Sequence, residues 1–317
     1  PHVAASGPLL TPVPAERIVT FNTSKDTVMY SITSSEQGKR VVNNNHALGA
    51  TGIKIWSLNL KDSTFMTNLQ SVKTEIDRLG NKMIVHATNL DQAKEALRLG
   101  AKVLVHSVDD EHVDEELINL AKQAGAIYCP TLVVMRGYFN AFKSLGGDFA
   151  FQDPNNAVDA DTRNLLQSAG RFFDYLPNPE GYDNLIANYE GLVNGMEKVM
   201  AENIMRVHEA GIPIAVSTDA GNPGTLHGIS IYDEMEAMQR AGIPAADILV
   251  MATKNGARTM EREGDFGTLE KGKMADLIVM DQDPAADISN MRSITHVMRG
   301  GLLRPVDQPF ENKTHDN

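Results

Sequence analysis

Lys54, His86, His106 and Asp219 are side chains of the types that bind a divalent metal for hydrolysis. Each stands at or near the C-terminal end of a short apolar run: TGIKIW (51–56), KMIVHA (82–87), AKVLVHS (101–107) and IPIAVSTDAG (212–221). Such runs read as buried parallel strands. In a barrel of parallel strands the C-terminal ends meet on one face, where active sites are built. Imidazole and carboxylate suit zinc and related ions. A bare ammonium inside an apolar run is costly. Lys54 escapes that cost if its amine has reacted with carbon dioxide to give a carbamate anion that bridges metals. A hydroxide on the ion is a nucleophile at neutral pH, and the ion polarises the carbonyl under attack. Asp219 has the chemistry to take the proton and deliver it to the leaving group. Each residue also has a plainer reading. A strand-end histidine can be a hydrogen-bonded structural residue, Lys54 can snorkel to the surface, and Asp219 can cap the segment after it. The shared position at strand ends favours the metal centre.

Positioning these groups requires alternating strands and helices. The pattern reads as strand 51–57, helix 63–79 ending at Gly80, strand 82–87, helical LDQAKEALRL ending at Gly100, strand 102–106, helical DEELINLAKQA ending at Gly125, and strand 126–134. Apolar runs alternating with Gly-ended helices indicate βα units and a parallel sheet. Residues 135–190 break the rhythm, as a lid or substrate wall inserted after a barrel strand would. The aromatics there, Tyr138, Phe139, Phe142, Phe149, Phe151, Phe172, Phe173 and Tyr175, either line an apolar pocket or pack the insertion, and packing is favoured. Helix 191–210 leads to strand 212–218, then to helices at about 229–241 and 245–262. GTLEKGKMADLIVMDQDP (267–284) and ITHVMRGG (294–301) read as closing antiparallel strands.

The 317 residues suffice for one large α/β barrel. A net charge of −12 argues against nucleic-acid or anionic-membrane partners and slightly favours neutral or cationic small molecules. No apolar run approaches the ~20 residues of a membrane span. A single cysteine, Cys129, excludes an internal disulfide. Localisation and a homo-oligomeric state stay open.

On the motifs IKIW, IVHATN, VLVHS and STDAGNPG, with the tail ATKNGARTMEREGDFGTLEKGKMADLIVMDQDPAADI (252–288), the sequence resembles the amidohydrolase superfamily. The resemblance is to its imidazolonepropionase-like branch, which includes metal-dependent Xaa-Pro dipeptidases. VAASGPLLTP (3–12) resembles the segment at the third barrel strand, so the likeness runs from residue 3 to about 301. It implies an α/β fold: a (β/α)8 TIM-type barrel, incomplete at the N-terminus, plus the C-terminal part of a small β-sandwich. Residues 1–265 would form the partial catalytic barrel (strands 3 to 8, with insertion 135–190), 266–303 the sandwich strands and 304–317 a tail. Lys54 would be the carboxylated bridging ligand. His86 and His106 would bind the second metal, and Asp219 would bind the first and act as general acid/base. The cofactor would be one or two divalent ions, zinc foremost. His227, in GTLHGIS, matches a position near the substrate pocket and reads equally well as a polar helix-start residue. Tyr138 and Arg136 are candidate contacts to a substrate carboxylate or carbonyl.

The family's first-strand His-x-His pair has no counterpart here. Only one strand fits before Lys54, near residues 2–6. The expectation is therefore an N-terminally truncated member with exposed sheet edges and little activity on its own. The function expected is metal-dependent hydrolysis of an amide, peptide or cyclic-amide C–N bond in a small molecule. A deaminase, a lactone or ester hydrolase, and an inactive binding relative stay open as alternatives.

Overall fold

The apolar runs pair side by side, all parallel. β1 (Leu9–Thr11), β2 (Met29–Ser31), β3 (Ile53–Ile55), β4 (Met83–His86), β5 (Val103–Val105) and β6 (Ile127–Cys129) form a six-stranded sheet in the order β2-β1-β3-β4-β5-β6. This is a computed structural model describing residues 2–23, 26–147, 151–176 and 178–308. The chain divides into two units, Pro1–Pro130 with Lys198–Ala215, and Thr131–Glu197 with Val216–Asn317. The sheet belongs to the first.

Three helices that follow strands in this unit start on side-chain caps that satisfy orphan N–H groups. Asp62 accepts from Phe65 N ahead of Ser63–Arg78, Asn89 from Asp91 and Gln92 N ahead of Leu90–Arg98, and Asp114 from Leu117 N ahead of Glu115–Ala124. Phe65, Leu69, Val72 and Ile76 fall on one stripe of Ser63–Arg78 and are buried, the amphipathic pattern of a helix covering a sheet. Gly125, at φ +60, closes Glu115–Ala124 in the left-handed conformation that L side chains resist.

Several strands differ from their sequence reading. The strand expected near residues 2–6 lies at Leu9–Thr11, where Leu10 and Thr11 are fully buried, and β2 lies beyond it. The run 126–134 ends as a strand at Cys129. Pro130 has no N–H to donate, and Thr131 turns at φ +49. The next two N–H groups, of Leu132 and Val133, donate to the Glu234 carboxylate at 2.9 and 3.0 Å, and the helix Val134–Lys143 begins there. The run 212–218 supplies one parallel bridge, Ile214 to Tyr128, because Pro213 breaks the ladder of donors.

The second unit carries the helices Val134–Lys143, Ala160–Gln167, Ser230–Arg240, Ala245–Ala252 and Lys254–Thr259. The helix expected over 245–262 breaks at Thr253, whose backbone leaves helical geometry at φ −114, ψ −79. The helix expected at 191–210 begins earlier and runs Tyr182–Glu209. It belongs to the second unit up to Glu197 and to the first from Lys198. β7 (Leu277–Met280), β8 (Ile294–Arg299) and β9 (Leu302–Pro305) form an antiparallel sheet in that order, and β9 takes up the start of the expected tail. Three of the insertion's aromatics, Phe139, Phe142 and Phe173, pack against Tyr182 and Tyr189. Phe173 lies edge-on to Tyr182 at 5.0 Å, Phe139 to Tyr189 at 5.7 Å, and Phe142 is 6.0 Å from Tyr182. Phe149 and residues 309–317 lie outside the described residues. No described helix is long and apolar enough to cross a membrane.

Candidate active site

Parallel pairing sets the chemistry of the first unit. Lys54 is in register with Ile84, and His86 with Val105. Residues two apart on a strand share a face, so His86 stands on the face of Ile84, Lys54 and Val105. Below them Val103, Ile127, Cys129 and Ala215 form a buried cluster, with Ile84 and Val105 packed against it. His106 follows Val105 and by strict alternation would point the other way. Its backbone instead turns to φ +79. The His86 and His106 rings meet edge to face with centroids 4.3 Å apart. A non-glycine residue held there costs about 1–3 kcal/mol and persists only where surrounding bonds enforce it. His106 N donates to Cys129 O at 2.8 Å, one such bond. Trp56 stands edge-on to His86 at 6.5 Å, and Phe21 edge-on to Trp56 at 6.0 Å.

Burial, and then the charge of Lys54, push His106 down to about 3. At neutral pH its ring therefore carries a lone pair in place of a second proton.

The second unit positions Asp219 by other means. Asp219 lies on a loop at φ +53. Asn222 Nδ2 donates to its Oδ2 at 2.7 Å and to its backbone carbonyl at 2.9 Å. Tyr138 Oη in turn donates to Asn222 Oδ1 at 2.5 Å. Burial, with the Asp219 charge second, raises the Tyr138 phenol, which keeps it a donor. Arg136 is engaged elsewhere: Nε donates to Glu197 at 2.9 Å, a terminal nitrogen donates to Asn194 at 2.6 Å, and its guanidinium stacks 5.3 Å from the Phe139 ring centre. His227 lines a cavity of about 540 Å³ beside the loop 221–227. The loop seats on the helix Val134–Lys143 through two glycines. A Cβ at Gly224 would lie 2.0 Å from the Gly137 carbonyl oxygen. Asn222 was missed by sequence reasoning; its signal was an amide three residues after the aspartate in a Gly- and Pro-rich turn, the spacing of a local side-chain bridge. Lys54, His86 and His106 are thus brought to neighbouring strands of one sheet, and Asp219, Tyr138, Arg136 and His227 belong to the other unit.

The sequence profile of the Amidohydrolase family matches residues 46–303. This chain belongs to the amidohydrolase family. The amidohydrolase chain is 39% identical over 85 residues to imidazolonepropionase of Aromatoleum aromaticum, a stretch covering 26% of this chain and 20% of the relative. It is 39% identical over 79 residues to a 5-methylthioadenosine/S-adenosylhomocysteine deaminase of Moorella thermoacetica, covering 23% and 18%. These matches thus span a fifth or less of the relatives' length. Among solved structures, a Xaa-Pro dipeptidase with bound methionine superposes with a TM-score of 0.64 at 22% identity, over 95% of this chain and 67% of that one. An A. niger ochratoxinase superposes with a TM-score of 0.65 at 21% identity, over 96% and 66%. These likenesses bear on the fold, an α/β fold built on a parallel sheet.

A divalent cation requires deprotonated donors. Two adjoining imidazoles, one of them held neutral by burial, match what such an ion requires. No three His, Cys, Asp or Glu side chains group as a metal site among the described residues. An ammonium cannot ligate a cation, so Lys54 joins this pair only as a carbamate. On that condition the residues fit.

Proposed function

We propose that this amidohydrolase cleaves an amide, peptide or cyclic-amide C–N bond of a small molecule, with zinc held by His86, His106 and carboxylated Lys54 and with Asp219 as general acid/base. The observation that carries the reading is the His86–His106 ring pair, reached through a strained backbone at His106 and set beside Lys54. When bound, the ion polarises the scissile carbonyl and lowers the pKa of water. Lys54, once carboxylated, offers oxygens where its amine offers none. Asn222 fixes the plane of the Asp219 carboxylate through Oδ2, and Tyr138 fixes Asn222. That orientation lets Asp219 receive a proton and return it to the departing nitrogen. Asp219 takes this role from the STDAGNPG motif. The short match to a protein named a deaminase supports a second reading, loss of ammonia from an amino-heterocycle by the same donors.

The test is to load the purified chain with zinc and bicarbonate, measure bound metal, and assay a panel of dipeptides, cyclic amides and aminopurine nucleosides. Stoichiometric zinc, a ¹³C-carbamate signal lost in Lys54→Ala, and carboxylate release from an amide are expected. Ammonia release from the nucleosides alone would select the deaminase. Zinc retention equal in the wild type and in His86→Ala would overturn the metal reading.

A further inference from the structure

His106 reaches His86 because its backbone sits at φ +79. Strain of that kind persists only where the surrounding structure over-determines it. Ahead of His106 the ladder does so: Val105 is in register with Cys129, and Ala87 N donates to Val105 O at 3.1 Å. Two backbone bonds continue past the strand, from His106 N to Cys129 O at 2.8 Å and from Ser107 N to Pro130 O at 2.7 Å. Beyond them a side chain takes over. Tyr128 Oη donates to Ser107 Oγ at 3.0 Å and accepts from Val108 N at 3.0 Å. Ser107 and Val108 are the two residues that directly follow His106.

Tyr128 is a fixed post. It stands on β6 in register with Leu104. Its N donates to Pro213 O and its carbonyl accepts from Ala215 N, both at 2.9 Å. Strand alternation puts its ring on the sheet face opposite Ile127 and Cys129, which belong to the cluster on the His86 side. The phenol therefore acts through the residues it bonds. Tyr128, Ser107 and Val108 are 2%, 1% and 0% exposed, so water does not replace a lost bond there. Burial also pushes the phenol up to about 12, which keeps it a donor at neutral pH. Val108 is held from its other side as well: the fully buried Asn203 donates from Nδ2 to Val108 O at 2.9 Å. These residues all belong to the first unit.

We infer that Tyr128 is a positioning residue of the metal centre: by clamping Ser107 and Val108 it holds His106 in the left-handed turn that sets its imidazole against His86. The inference rests on the proposed zinc site for what the paired rings bind. The pairing itself is a property of the metal-free chain.

The experiment uses the full chain and three variants. Tyr128→Phe removes the hydroxyl and keeps the ring. Ser107→Ala breaks the same bond from its other end and decides the matter if Tyr128→Phe does not fold. Val42→Ala is the control, a truncation of a buried side chain on the helix Ser35–Ala47, which follows β2 at the sheet edge opposite β6. One readout is the zinc dissociation constant in bicarbonate buffer, by competition with a chromophoric chelator. The other is the nuclear Overhauser contact between the His86 and His106 rings in zinc-free protein labelled with ¹³C-histidine. Tyr128→Phe should weaken zinc binding about 10–100-fold, as loss of a partner that orients a metal ligand does, and should abolish the ring contact. Ser107→Ala should do the same more weakly, and adding it to Tyr128→Phe should weaken zinc no further. Val42→Ala should lower the thermal midpoint and leave both readouts at the wild-type level. The inference is overturned if the ring contact survives in both clamp variants, if zinc held by the wild type is held as tightly by both, or if Val42→Ala shows the same losses. A wild-type chain that binds no zinc, yet loses its ring contact with the Tyr128 hydroxyl, would sustain the clamp and fail the metal reading.

Discussion

The sheet ends of the first unit and the Asp219 loop of the second hold their functional side chains by different physics. On the sheet, strand register places Lys54 and His86, and one left-handed residue brings His106 round. Backbone pairing does the positioning, and the side chains stand on the rigid part of the unit. On the loop, Asp219 is oriented by a side-chain relay from Tyr138 through Asn222, and the loop is seated by a glycine-to-glycine contact. Positioning there is distributed over residues that do no chemistry. A sheet site should therefore tolerate changes around its ligands outside the Tyr128 clamp, and a loop site should fail when its supports are altered.

The largest effect should come from the ligands. His86→Ala should remove stoichiometric zinc and lower kcat/KM about a thousandfold, roughly 4 kcal/mol of transition-state stabilisation. Metal analysis beside steady-state kinetics checks it, and an undiminished metal content would erase the distinction between the two regions. Next comes the seat of the loop. Gly224, at φ +76, has no room for a methyl, so Gly224→Ala should cost about 3 kcal/mol in denaturant unfolding. Gly125, at φ +60 with nothing within 4 Å, meets only the backbone penalty, and Gly125→Ala should cost about 1 kcal/mol.

Asn222→Ala should then lower kcat about 10–100-fold with zinc content unchanged, as loss of an orienting partner does. Tyr138→Phe, one bond further out, should cost less. If both variants keep wild-type kcat, the relay has no functional weight and Asp219 is held by its own backbone.

A separate effect is a pH slope. Glu234 is fully buried, and desolvation pushes it up from 4.5 to about 8 despite two backbone N–H donors. Between these values the folded chain keeps a proton that the unfolded chain releases. Stability from this group is thus complete below pH 4.5 and falls as pH rises through 8. Glu234→Gln should flatten that part of the urea midpoint against pH, and an unchanged slope would assign it to other groups.

Legibility differed between the two regions in the same way. The strands bearing Lys54, His86 and the approach to His106 were readable because an apolar run between Gly-ended helices leaves few alternatives. The shortened strand at 127–129 was less readable: Pro130 was in view, but the Glu234 carboxylate that draws off the next two N–H groups lies about a hundred residues along the chain. The split at Thr253 depended on one residue's backbone leaving helical geometry, which composition leaves undecided. Arg136 looked available for a substrate carboxylate until Glu197, 61 residues away, came to it.

The order of residues along the chain determined the parallel α/β sheet, the strand ends that carry imidazole and amine, and membership of the amidohydrolase family. Periodicity and chain order are local properties, and burial enforces them wherever the chain folds. Tertiary structure alone decided that His106 turns its ring to His86, that Asn222 holds Asp219, and that an apolar cavity opens beside the loop. Those outcomes depend on backbone strain and on partners distant in sequence, which only packing brings within a hydrogen bond's reach.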